Sequence, residues 1–305
     1  MRISSGDFRR DFFDDYFLLR GAIRRRINEN APAFPNVACF VFDNINSEIM
    51  MFGRFERTSL DVVFSKLDPS TSAFKTTSVI DVGANIGNHS LYFAERFGQV
   101  YSIEASPKTF ALLCFNVEHS GYSNITPIQA ALGETGGKLM FAEHRNFAGS
   151  SGIIDPSSKR SDDLREQPGR IFEVDVKTGD SVLSHYDMLP VSLIKIDVEG
   201  FERSVLAGLR ETIEAFHPMI LVEQLANEVQ TGTSDTIDLL RKWGYDKFYS
   251  PESICKIKSR HMRLLSKLLR GDTIELLSID TFLARHYPMV LCCASDGPFN
   301  LKKCA

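Results

Sequence analysis

The chain has 305 residues, 43% apolar and 24% charged, with a formal net charge of −4. That length and composition describe a globular chain able to bury a substantial core, and the acidic balance excludes a protein whose whole surface serves nucleic acid, leaving at most a local basic patch. Six cysteines (Cys39, Cys114, Cys255, Cys292, Cys293 and Cys304) are scattered without a C-x-x-C pair, which argues against a zinc site or disulfide framework and for free thiols in a reducing compartment.

Residues 7–27 carry apolar side chains at helical spacing: Phe8, Phe12, Tyr16, Leu19, Ile23 and Ile27, widened by Phe13 and Phe17. This predicts a helix docked on the main domain or on a second subunit, the latter giving a homo-oligomer. Asp7, Asp11, Asp14 and Asp15 argue against a polybasic membrane anchor, and the last three interrupt any secretory leader. No apolar run approaches the ~18 residues of a spanning helix, so a cytoplasmic protein is expected. Pro32 and Pro35 mark a linker. Residues 37–42 and 49–55 read as short strands and 58–67 as a helix. Residues 1–77 are thus taken as an N-terminal helix with a leading module, and 78–305 as the main domain.

The main domain opens on Val79, Ile80 and Val82, a buried-strand run ending at Gly83 and Gly87, after which a helical pattern starts at Leu91. Strand, glycine turn and helix form the first unit of a nucleotide-binding α/β sheet. The middle glycine of a dinucleotide G-x-G-x-x-G turn is missing, since Ala84, Asn85 and Ile86 separate Gly83 from Gly87. Asp81 stands two residues before the turn. A carboxylate there would repel a pyrophosphate but suits a cofactor carrying an ammonium and a sulfonium. Glu104, ending the second apolar run at 100–103, is placed to meet ribose hydroxyls. Together these features read as a site for S-adenosylmethionine (SAM).

Ser106-Pro107 then opens a helix with a hydroxyl cap and a proline at its first position, and 125–131 is the third strand. Three such steps imply a parallel, doubly wound sheet. Two strands, 138–143 and 172–176, flank a polar loop over 144–167, a length expected of a functional or disordered connection. Further strands follow at 191–196, 219–222, 248–249 and 289–293, with helices through Val205–Ile213 and over 236–243. The segment 250–288 is an insertion whose basic helical face, 256–270, is read as a solvated face or a lid for an anionic acceptor.

A second motif, Ile196-Asp197-Val198-Glu199-Gly200-Phe201-Glu202, sets three carboxylates in six residues at a strand end. Such a cluster needs a cation, a hydroxyl proton or water; helix capping is the plainer alternative. With V-I-D-V-G-A-N-I-G-N-H-S, S-I-E-A-S-P and L-I-K-I-D-V-E-G-F-E, residues 50–250 resemble the FkbM-type SAM-dependent methyltransferases. The resemblance implies the class I methyltransferase fold, a Rossmann-like α/β sheet of seven strands with the last antiparallel, and O-methylation of sugars, glycolipids or secondary metabolites. It also implies roles. Asp81, Gly83, Ala84, Asn85 and Gly87 would hold the amino-acid end of SAM. Glu104 would take the ribose, Ala105 and Ser106 the adenosine, and Gln129 and Ala130 the adenine. Asp197 would lie nearest the sulfonium.

Methyl transfer from a sulfonium needs alignment above all, and a base helps the alcohol oxygen attack. Asp197 or Glu199 is expected in that role, with Glu223 orienting the acceptor. His144 and Asn146 are candidate acceptor contacts, while His89 reads as a helix-start residue and His217 as turn punctuation. A form assisted by Mg²⁺ on Asp197, Glu199 and Glu223 is the less favoured version. Other classes stay open: a non-catalytic binding protein on the same fold, and an RNA methyltransferase, although 197–200 is not the Asn/Asp-Pro-Pro-Tyr/Phe motif of its N-methylating forms. A nicotinamide oxidoreductase would need the missing glycine.

Overall fold

The computed structural model describes residues 37–40, 45–46, 48–49, 53–67, 71–144, 149, 151–154, 168–254, 273–295 and 297. The predicted helices over 7–27 and 256–270, most of the loop 144–167 and Asn146 lie outside them.

The first helix described along its whole length is α1 (Arg57–Lys66), followed by a 3₁₀ turn over Thr71–Thr76. The chain then runs β1 (Ser78–Val82), α2 (Asn88–Ala94), β2 (Gln99–Glu104), α3 (Pro107–His119) and β3 (Ile125–Gln129). A smaller sheet interrupts, made of β4 (Ala131–Leu132), β5 (Gly137–His144), β6 (Gly152–Ile153) and β7 (Pro168–Lys177). The main sheet resumes through α4 (Gly179–Leu183), β8 (Val191–Ile196), α5 (Glu202–Gly208), α6 (Arg210–Phe216), β9 (Met219–Gln224), α7 (Asp235–Lys242), β10 (Tyr245–Ser253), β11 (Ile274–Ser278) and β12 (Tyr287–Ala294).

The main sheet has the order β11-β10-β12-β9-β8-β1-β2-β3. From β1 the chain fills one side with β2 and β3, then crosses to β8 and β9, so the sheet reverses direction of growth at β1/β8 and opens a crevice there. Strands β3, β2, β1, β8 and β9 are parallel, and β12 inserts antiparallel between β9 and β10. Every residue of β1 and β8 is buried, as strands covered by helices on both faces require.

The expected seven strands become eight. The 250–288 segment supplies β11, which pairs antiparallel with a lengthened β10 from Tyr249↔Ser278 to Ser253↔Ile274. The predicted strands 37–42 and 49–55 are corrected among the described residues: 37–40 are irregular, Ile49 is helical and 53–55 form a turn. At Ala38 the backbone N–H and C=O are satisfied by the Asn116 side-chain amide, and Asn88 does the same for Phe55, so these segments need no ladder. The single predicted helix through Leu209 is two, α5 and α6. One apolar layer joins Leu60 and Val63 of α1, and Leu67 just after it, to Phe74, Phe93 and Phe97, with Phe74 and Phe97 ring centroids 5.1 Å apart.

Candidate active site

A cavity of about 640 Å³ opens at the carboxyl ends of β1, β2, β8 and β9, the crevice that open α/β sheets use for ligands. On the β1/β2 side its wall is Gly83, Ala84, Asn85, Ile86, Glu104 and Ala105, continued by Ala130 and Leu132. Lys195, Asp197, Val198 and Glu199 form the middle, and Glu223, His286 and Pro288 the far end.

Glu104 is fixed before any ligand arrives. Its Oε2 accepts from the Asn85 N–H (2.9 Å), and its Oε1 accepts from the Ser106 N–H and the Thr109 hydroxyl, both at 2.8 Å. Three donors occupy a carboxylate with about four acceptor sites, leaving Oε2 able to accept from a hydroxyl in the cavity. Burial pushes the Glu104 carboxyl above the usual glutamate range, while the Ser106, Thr109 and Asn85 bonds pull it back.

Asp81 lies behind this surface. It is 0% exposed, its Oδ2 accepts from the Ser90 hydroxyl (2.6 Å), and Lys195 Nζ is 3.4 Å from Oδ1. The same Nζ lies 3.2 Å from Asp197 Oδ2 and donates to the Gly83 carbonyl at 3.2 Å. Burial opposes the charge on Lys195, but Asp197 and Asp81 outweigh it and raise the lysine pKa. One ammonium therefore ties the turn after β1 to the end of β8.

The turn at 198–200 has its own buried clamp. Glu202 Oε1 accepts from the N–H groups of Val198 and Gly200, each at 3.1 Å. Burial, with Glu228 adding to it, pushes the Glu202 carboxyl up to about 8 from its ordinary 4.5. A folded-state pKa above the unfolded one means that the folded protein holds the proton longer. Stability is thus expected to fall as pH rises from about 4.5 to about 8, and Glu202→Gln should flatten that slope. Urea midpoints measured across this range check it; an unchanged slope in the variant would assign the effect to another group.

Among the expected site residues, Gly83, Ala84, Asn85, Glu104, Ala105, Ala130, Asp197, Glu199 and Glu223 line the cavity. Asp81, Gly87, Ser106, Gln129 and His144 do not. Ser106 caps α3 and donates to Glu143, Gln129 is exposed at the end of β3, and His144 uses its N–H on Ser151. His89, in the first turn of α2, lines the cavity with Nε2 3.3 Å from Glu56 Oε2. Among the described residues, no three His, Cys, Asp or Glu are grouped to hold a metal, and no helix is long and apolar enough to cross a membrane.

Sequence reasoning missed Lys195, His286 and the leading-module carboxylates Glu48 and Glu56, which also line the cavity. A lysine inside the apolar run Val191–Ile196 was a readable signal, since a buried ammonium demands partners. Nothing local marked His286, which reaches the cavity only through strand pairing.

Strand order and cleft define the class: a doubly wound α/β protein with an acid-lined cleft at its switch point. The family model described as the methyltransferase FkbM domain matches residues 81–247, more than half of the chain. The chain belongs to the FkbM methyltransferase family and is a SAM-dependent methyltransferase. Methyltransferase 1 of Beauveria bassiana is 26% identical over 171 residues, covering 52% of this chain and 69% of that protein. Methyltransferase sdnD of Sordaria araneosa is 26% identical over 203 residues, 56% of this chain and 78% of its own length. Hexuronic acid methyltransferase AglP of Haloferax volcanii is 22% identical over 141 residues, 46% of this chain and about half (53%) of that protein.

Proposed function

We propose that this chain transfers the methyl group of SAM to a hydroxyl oxygen of a sugar, glycolipid or secondary metabolite. SAM supplies an electrophilic methyl on a sulfonium. The observation that carries the reading is Glu104, a buried carboxylate held by three donors with acceptor capacity left toward the cavity. In this reading it accepts from the ribose hydroxyls, with Ala105, Ala130 and Leu132 against the adenine. The Gly83–Asn85 backbone takes the amino-acid end. Asp81 acts from behind the surface by fixing Lys195. Glu48, Glu56, Asp197 and Glu199 make the remaining wall acidic, which suits a ligand bearing an ammonium and a sulfonium. A carbohydrate acceptor is supported by the hexuronic acid named for the Haloferax volcanii relative.

Calorimetry with SAM, S-adenosylhomocysteine, NAD and NADP tests the reading. Heat is expected with the two adenosyl-sulfur compounds alone. Glu104→Gln should weaken SAM roughly 10- to 100-fold, the scale of one or two hydrogen bonds to a charged acceptor. Because burial raises the Glu104 pKa, acidification should protonate it and weaken SAM, an effect absent in the variant. Binding of NAD with no heat from SAM would sink the reading.

A further inference from the structure

We propose that His286 takes the proton of the acceptor hydroxyl, and that Glu223 positions it. The inference rests on the O-methylation reading above and adds a residue that neither the family match, which ends at 247, nor the sequence motifs contain.

His286 Nε2 lies 2.7 Å from Glu223 Oε1, and both residues line the far end of the cavity. The side chain of Glu223 is 11% exposed, whereas that of His286 is 50% exposed. A carboxylate oxygen only accepts, so this bond places the imidazole proton on Nε2 and leaves the lone pair on Nδ1. Among the described residues the ring makes its one hydrogen bond through Nε2.

The strand geometry holds the ring in place. Tyr287 pairs with Gln224 across antiparallel β12 and β9, which puts His286 and Glu223 diagonally across the ladder on one face. Next to it, Arg285 binds both carboxylate oxygens of Glu252 and lies over the Tyr287 ring, 4.3 Å from its centroid. The Tyr287 hydroxyl accepts from the Leu283 N–H at 2.9 Å. Residues 283–287 are thereby tied on both sides of the histidine. Asp197 is differently placed: Lys195 already occupies one of its oxygens.

In the step assigned here, the acceptor oxygen bonds to the methyl carbon as its O–H proton passes to Nδ1. The donor's carbon–sulfur bond breaks with its electron pair on sulfur, giving the thioether. The imidazolium is stabilised by Glu223 and returns its proton to water. Charged groups around the ring are Glu223 from β9, Arg285 on its own segment with Glu252 of β10, and Asp197, Glu199, Glu48 and Glu56 across the cavity.

The test has an arm that needs no acceptor. In the full chain saturated with S-adenosylhomocysteine, ¹⁵N-histidine NMR should find His286 as the Nε2–H tautomer. The Nε2–H tautomer should lose its dominance in Glu223→Gln, whose side-chain amide can donate as well as accept, and recover in Glu223→Asp. An Nδ1–H tautomer in the wild-type chain, or an unchanged tautomer ratio in Glu223→Gln, overturns the proposal. With radiolabelled SAM and methyl β-glucoside or methyl β-glucuronide as probes, His286→Gln should lose about 100-fold or more in kcat with SAM affinity unchanged by calorimetry. Glu223→Gln should lose kcat as well, with Glu223→Asp restoring part of it. Turnover by His286→Gln at the wild-type rate overturns the proposal. If neither glycoside is methylated, the ring tautomer decides. Wild-type protein giving no heat with SAM would instead defeat the methyltransferase reading itself, which separates the two failures.

Discussion

Gly83→Ala is expected to cost more than about 4 kcal/mol, beyond the usual range for a single substitution. A Cβ at this position would sit 1.8 Å from the Asp197 carbonyl oxygen and 2.9 Å from its carbon, and the backbone has φ +73°. Backbone atoms cannot swing aside as a flexible side chain can. The two strand ends are also clamped: Gly83 and Ala84 N–H groups both reach the Ile103 carbonyl at 3.0 Å, and Asp197 N–H reaches Val82 at 3.1 Å. Relieving the clash would break pairing on both sides of β1. Gly121→Ala is the matched control, since Gly121 has φ +77° with nothing within 4 Å, and it should cost only the ~1–2 kcal/mol of left-handed backbone strain. Urea denaturation of both variants measures the difference. Equal losses would mean that the close approach of β1 and β8 is not what Gly83 is for.

Lys195→Met should destabilise the fold by about 3–5 kcal/mol, the scale for stranding a buried charge. The ammonium is 7% exposed and faces Asp81, which is 0% exposed and would be left with Ser90 as its hydrogen-bond donor. The wild-type lysine pKa is raised, so its contribution is complete below the ordinary value near 10.5 and is lost as pH climbs through the raised one. Without its cation Asp81 is a buried carboxylate that nothing opposite in charge offsets. Asp81→Asn added to Lys195→Met should recover part of the loss. A full cycle of stabilities checks this; additive losses would show that the two side chains do not depend on each other.

The β1 turn was legible because its causes are local. A β-branched run, an acid and two glycines four apart announce strand, bend and helix without reference to the rest of the chain. Glu104 followed from the same logic, since the end of the next parallel strand is the place that faces such a turn. The 37–55 stretch was misread because its backbone partners are side chains, Asn116 for Ala38 and Asn88 for Phe55, far away in the sequence. The eighth strand was missed for a related reason. Residues 274–278 alternate only weakly between half-buried and exposed, so the lengthened edge of β10 decides their conformation.

The sequence by itself determined the alternation of strands and helices, the glycine turn after β1 and the family, because each is written in residues that are neighbours or share one strand period. Tertiary structure alone decided which acids face the cavity, which are buried beneath it, and which cation binds them. Asp81 and Asp197 are 116 positions apart, yet Lys195 lies between them because parallel β1 and β8 pair Asp81 with Lys195 in register. His286 meets Glu223 through the antiparallel β9–β12 pairing. Charges brought together across a sheet interact according to distance and burial, and neither quantity exists until the strands have paired.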